Sequence, residues 1–198
     1  MATITWPTSL QVAAFDYSIA FDVQMVTTRN GRISTYGLPG ARWQATLTFG
    51  DDQEKGMRPA LEALLVSLEG GANRLSLGHL GRKIPNGTMR GSPTLNGAHV
   101  AGAKQLALSN VTGTLKAGDI IAVPNQLLMA VADAAPTGGL MVVQTRPALF
   151  TGYATAAAVA WNNPSTLWVP TTSTAGPFPF KAGRYRPGFA VSFVEAPP

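Results

Sequence analysis

The chain contains no cysteine, which excludes disulfides, thiolate nucleophiles and cysteine-ligated zinc together. Charge is also scarce: Asp, Glu, Lys and Arg supply 13% of the residues, against about a quarter in an ordinary soluble domain. The two histidines, His79 and His99, stand far apart in Gly-rich segments. They have neither the i, i+4 spacing nor the carboxylate neighbours of a helical metal site. No phosphate-binding loop, dinucleotide fingerprint, calcium loop or Gly-x-Ser-x-Gly elbow occurs. The nearest approaches to paired acids are Asp51 with Asp52, placed where helix capping explains both, and Asp16 with Asp22. Asp119, in Lys116-Ala117-Gly118-Asp119, has the setting of a turn residue. The expectation is therefore a chain with no catalytic residues, no cofactor-binding residues and no metal ligands. No apolar run approaches the length of a membrane span, and Met1 to Pro7 lacks the basic and apolar regions of a signal peptide. A soluble protein, with no membrane anchor and not exported by a signal, is expected.

What is abundant is glycine, 21 residues, and proline, 15. Few charges with many small and apolar residues suit a subunit covered on several sides by neighbours, and equally suit a turn-rich β-protein. A chain of 198 residues admits two compact β units or one elaborated domain, and buries enough surface to need no metal or disulfide. The net charge of +5 is carried more by Arg than by Lys. Its members are scattered, the densest group being Arg82, Lys83 and Arg90, and none alternates with aromatics as in a single-strand groove. No specific nucleic-acid binding is expected.

Along the chain, short β-favouring stretches alternate with turns. Val26-Thr27-Thr28 and Ile33-Ser34-Thr35 flank Asn30-Gly31, which predicts a hairpin with a two-residue turn at positive φ. In Trp43 to Phe49, Trp43, Ala45, Leu47 and Phe49 share one face, the signature of a half-buried strand. One helix follows. Asp51-Asp52 offers its cap, Met57, Leu61, Leu64, Leu65 and Leu68 form its apolar stripe, Gly70-Gly71 ends it, and Pro59 disturbs its start. Arg74 to Leu77 reads as a strand. Gly78 to Gly102, crowded with Gly, Pro and Asn, reads as a boundary. Strands are then predicted at Gln105–Ser109, Leu115–Val123, Gln126–Ala132 and Leu140–Gln144, spaced as in a small barrel or sandwich. After a Pro-rich tract, Phe189, Val191 and Phe193 alternate as Trp43 to Phe49 does, so this last strand is expected to rejoin the first sheet. The organisation is one unit of residues 1–80 plus 164–198 carrying an insert of residues 81–163, and the insert is expected to be replaceable by a short linker.

The order of these features resembles the distal tail or minor tail subunits of siphophage-type bacteriophage tails, which are long and non-contractile. The features are Trp43-Gln44-Ala45-Thr46-Leu47, a capped helix, a Gly/Pro-rich junction, Lys116-Ala117-Gly118-Asp119 before an apolar strand, and the terminal Phe189 to Glu195. Pro85 to Gly91, and Gly138 to Val143 leading to Arg146-Pro147-Ala148-Leu149, are similar to the segments bracketing the inserted barrel there. The resemblance implies a mainly β fold: a tail-tube-like β-sandwich with one flanking α-helix, carrying an inserted small β-barrel or sandwich. It also implies a structural virion protein at the distal end of the tail, made in the cytoplasm of the bacterial host. Such a protein forms a ring with itself, a hexamer favoured and a trimer the alternative, between the tail tube protein and the hub, baseplate and fibre proteins, without a cofactor. The rival expectation is a carbohydrate-binding host-attachment module of a tail tip, for which Trp6, Trp43, Trp161 and Trp168 are the candidate platforms; their spread favours core and interface anchors.

Overall fold

The computed structural model describes residues 1–37, 40–50, 57–176 and 189–196. The fold is mainly β with one flanking helix. The first elements are β1 (Thr3–Thr5), β2 (Ala14–Ala20), β3 (Val23–Thr27), β4 (Ile33–Gly37), β5 (Arg42–Phe49), α1 (Met57–Ser67) and β6 (Arg74–Gly78). There follow β7 (Arg90–Leu95), β8 (Gln105–Thr112), β9 (Ile120–Val123), β10 (Gln126–Ala130), β11 (Met141–Arg146), β12 (Ser165–Pro170) and β13 (Phe189–Glu195).

A six-stranded sheet runs β1-β6-β12-β13-β5-β2. The alternation in β5 does what the pattern requires: Trp43, Ala45, Leu47 and Phe49 are buried while Arg42 and Gln44 face solvent. The terminal strand β13 pairs with β5 along its length, from Phe189 opposite Phe49 to Val194 opposite Gln44. The chain leaves the sheet at Gly78 and re-enters at Ser165, which are direct cross-strand partners. Against the sheet packs α1, burying Leu61, Leu64, Leu65 and Leu68. Pro59 sits in its first turn, where no intrahelical N–H bond is lost. Gly70, at φ +64, follows the helix, and any Cβ there would strike the Ser173 backbone. The cap expected from Asp51-Asp52 and the side chain of Met57 lie outside the described residues.

The second sheet runs β7-β8-β11-β10-β9, and residues 156–160 close it into a barrel. On one side Leu95 N donates to Ala157 O (2.9 Å) and Val159 N to Pro93 O (2.9 Å); on the other Ala122 and Ala160 exchange both backbone bonds at 2.8 Å. Closure removes the two sheet edges. Pro93 is accommodated because the β7–β8 register shifts between Gly91 and Thr94, a bulge that needs no proline N–H.

The two cores share a wall. In β9 and β10 every residue but Met129 is fully buried. Ile120, Ala122 and Leu127 belong to the core of the six-stranded sheet, whereas Ile121, Val123, Leu128 and Ala130 belong to the barrel core. A strand buried on both faces is apolar throughout rather than alternating.

The predicted hairpin is present as β3–β4, but its turn differs. Gly31 N donates to Thr28 O (2.9 Å) and Thr28 N to Arg32 O (2.8 Å), so three residues form the turn. Gly31 alone, at φ +73, takes the left-handed position. This is the type I turn with a bulge, in which Asn30 need not adopt positive φ.

Candidate assembly surface

The polar residues that could carry chemistry are engaged in holding backbone. His79 is buried, stacked on Tyr17 with ring centroids 4.0 Å apart and meeting the edge of Trp43 at 6.0 Å. Its Nδ1 accepts from the N–H groups of Gly81 (3.2 Å) and Arg82 (3.1 Å). Burial, with the nearby Arg82 charge, pushes its pKa down to about 4, so the ring is a neutral turn-holder at pH 7. His99 Nε2 accepts from Ala107 N (3.0 Å) while Nδ1 faces Gly97 O (3.1 Å). Asp119 is buried, and its carboxylate accepts from Asn86 N (2.7 Å), Gly87 N (3.0 Å) and Lys116 N (2.7 Å). It thus locks its own turn to the Pro85-Asn86-Gly87 loop, a partner that sequence spacing does not reveal. Asp16 lies exposed within β2 and Asp22 beyond that strand. Among the described residues no group of three His, Asp or Glu side chains converges as a metal site would.

Trp43 and Trp168 are buried, donating from Nε1 to Leu127 O (3.0 Å) and Leu77 O (2.9 Å). Trp6 stacks on Phe49, centroids 6.4 Å apart. Trp161 is half-buried, with its Nε1 on Gly91 O (2.9 Å) and the Arg90 guanidinium 5.2 Å above its ring.

Glu195 carries no motif in the sequence, although its i+2 relation to Phe193 puts it on the buried face of β13. It is wholly buried. Oε1 accepts from Leu127 N (2.6 Å) and Oε2 from Trp43 N at 3.4 Å. With Trp43 Nε1 bound to Leu127 O, both backbone polar groups of Leu127 are satisfied by the six-stranded sheet, which pins the shared wall. Burial raises the carboxyl to about 7, against the opposing pull of those N–H groups, the Thr166 hydroxyl and the Arg42 charge.

The surface is uneven. Of fourteen exposed large apolar side chains among the described residues, seven lie between Phe15 and Tyr36, so exposed apolar surface is concentrated in this segment rather than scattered along the chain. Five of the seven are on the β3–β4 hairpin, which forms a separate two-stranded sheet. The register places Val23, Met25 and Ile33 on one face and Val26 and Tyr36 on the other. Met25 is 73% and Ile33 69% exposed. Beside the hairpin's root, where Val23 pairs with Gly37, a groove of about 850 Å³ separates it from the barrel loops. Arg42, Lys104 and Arg146 line it with Phe21 and Phe150, against a single carboxylate among the described residues, Asp22. Among the described residues none of these three cations has an ion-pair partner; the pairs present are Arg58–Glu62 and Lys116–Asp133. In comparison with known proteins, no family model matches the chain and no curated protein does.

Proposed function

We propose that the chain is a non-enzymatic structural subunit that closes with copies of itself into a ring, six copies favoured over three. Its place would be the distal end of a siphophage-type tail in the virion, joining the tail tube to the hub or baseplate and its fibres. The six-stranded unit would be the tail-tube-like, ring-forming part and the barrel the projecting insert.

The β3–β4 hairpin carries this reading. A two-stranded hairpin is at best marginally stable alone in water, and this one bears large apolar side chains on both faces, exposed in the isolated subunit. One flat partner could cover only one face. A head-to-tail contact repeated by rotation gives every subunit a neighbour on each side and closes without leaving an unused patch. The β2 strand, at the edge of the six-stranded sheet and leading into the hairpin, adds unpaired backbone groups that a neighbour can cover. The sugar-binding alternative draws less support, since buried Trp43 and Trp168 serve the core and Trp161 lies beneath Arg90.

The test is mass by light scattering across protein and salt concentration, followed by negative-stain imaging. A ring of three or six subunits is expected. A strict monomer at every concentration that also fails to join a purified tail tube removes the reading.

A further inference from the structure

We infer that the basic groove at the root of the β3–β4 hairpin receives the acidic segment Asp51-Asp52-Gln53-Glu54 of a second copy of this chain, forming the polar half of a head-to-tail contact. The inference rests on the ring reading and names the partner of that surface.

Three observations carry it. The groove gathers Arg42, Lys104 and Arg146 around Asp22, and none of the three cations is ion-paired among the described residues. A surface poor in charge yet holding three cations in one concavity, against one described carboxylate, favours an anionic occupant. The apolar lining from Phe21 and Phe150 suits an extended peptide better than a small hydrated anion.

Second, the chain has few carboxylates to offer. Asp119 and Glu195 are buried, while Glu62 and Asp133 are paired. Of the rest, Asp16, Asp22 and Glu69 stand singly, and only Asp51, Asp52 and Glu54 form a run. Because the chain carries net charge +5, copies repel in general. This run is therefore the densest anionic partner a second copy can offer.

Third, the groove lies at the Arg42 end of β5, while the acidic run follows the Phe49 end in the sequence. Arg42 opens β5 and Phe49 closes it, two residues before Asp51. Eight extended residues separate the two ends by about 23 Å, more than twice the roughly 8–10 Å screening length at physiological salt. An acidic run that follows one end of a rigid strand in the sequence complements a groove at the other end of that strand in a second copy, which is the heterologous geometry a ring needs.

The experiment has two arms. In the first, the peptide of residues 49–56 is titrated by fluorescence polarisation into the wild-type protein, K104Q and K104Q/R146Q, alongside a peptide neutralised at Asp51, Asp52 and Glu54. Wild type should bind the acidic peptide at least tenfold more tightly than it binds the neutral one, and at least tenfold more tightly than the double variant binds the acidic one. K104Q should fall between, with its thermal transition unchanged. No binding at millimolar peptide, or equal affinity for the neutral peptide, overturns the inference. In the second arm, D51N/D52N and K104Q/R146Q should each self-associate at least tenfold more weakly than wild type. Mixed in equal amounts they should give a dimer that grows no further, because only one groove and one acidic run remain intact. Variants that assemble like wild type overturn the inference while leaving the ring in place. Salt-sensitive peptide binding by a protein that is monomeric at every concentration sinks the ring and leaves the groove as an acidic-peptide site.

Discussion

Two buried groups with opposite displacements should largely cancel each other's pH dependence, and replacing either one should expose the other. Glu195 is raised to about 7 by burial. A raised folded pKa means that the native state holds the proton more tightly, so its contribution is full below about pH 4.5 and is lost as the pH climbs through about 7. His79 is lowered to about 4. Its contribution is full above about pH 6.5 and is lost as the pH falls through about 4. Each gap is about 2.5 units, worth about 3 kcal/mol at 1.36 kcal/mol per unit. The slopes oppose each other across the same window, so wild type should vary by only about 1 kcal/mol between pH 4 and 7.5. Glu195→Gln imitates the protonated acid and removes the falling limb; its stability should rise by about 3 kcal/mol from pH 4 to 7. His79→Asn keeps an acceptor for the Gly81 and Arg82 amides but loses the stacking on Tyr17. It should be less stable throughout and should fall by about 3 kcal/mol from pH 4.5 to 7.5. The exposed Lys116–Asp133 pair holds Asp133 below its usual range, and the small rise it adds is common to all three proteins. Urea denaturation followed by the fluorescence of buried Trp43 and Trp168 measures each curve. Parallel pH slopes for wild type and Glu195→Gln would refute the reasoning.

Met25→Ser with Ile33→Ser, both at exposed hairpin positions, should weaken self-association at least tenfold by light scattering and leave the thermal transition within about 2 °C of wild type, because little surface is buried there in the subunit. Asp119→Ala orphans the N–H groups of Asn86, Gly87 and Lys116 and should cost about 4 kcal/mol by urea midpoint, with Asp119→Asn recovering part of it. Leu127→Ala opens a cavity in the wall shared by both cores and should cost about 3 kcal/mol. Its unfolding should remain one transition whether read by tryptophan fluorescence or by far-ultraviolet circular dichroism. Excising residues 81–163 brings together neighbouring ends, yet strips Ile120, Ala122 and Leu127 from the first core and leaves Glu195 buried without Leu127 N. The remainder should be unfolded or molten by near-ultraviolet circular dichroism.

The legible elements were those whose side chains face two different solvents. The β5 alternation and the α1 stripe are one-sided, and their periods declare them. The β9–β10 wall is apolar on both faces, so its pattern marks strands without saying that two cores meet there. Strand β7 lies in the stretch Gly78 to Gly102 that reads as a boundary, because Gly91 and Pro93 are loop residues by composition; the bulge that admits them is a tertiary fact. Strand β12 was hidden between Pro164 and Pro170, which occupy positions just before the strand and at its last residue. The hairpin could be located, but its isolation and its apolar faces could not. Val23, Met25 and Ile33 would read identically in a buried strand, and only the absence of a packed neighbour distinguishes them. The groove joins Arg42, Lys104 and Arg146 from segments remote in sequence, so no local spacing announced it.

The strand order β1-β6-β12-β13-β5-β2 also sets the sequence of events during synthesis. The barrel is complete once residue 160 has emerged, and all its strand pairings lie within residues 90–160. The larger sheet cannot form in the same way. Its middle strands, β12 and β13, follow every other described strand in the chain, and until they arrive β1–β6 and β5–β2 are two separate strand pairs with a gap between them. A ribosome stalled, or a message cut, just before residue 165 would therefore release a closed barrel joined to an open, apolar half-sheet. That species presents just the unpaired edges that promote aggregation. In this sheet β13 acts as a keystone, and deleting it should be far more damaging than deleting a stretch of equal length in the exposed β3–β4 arm.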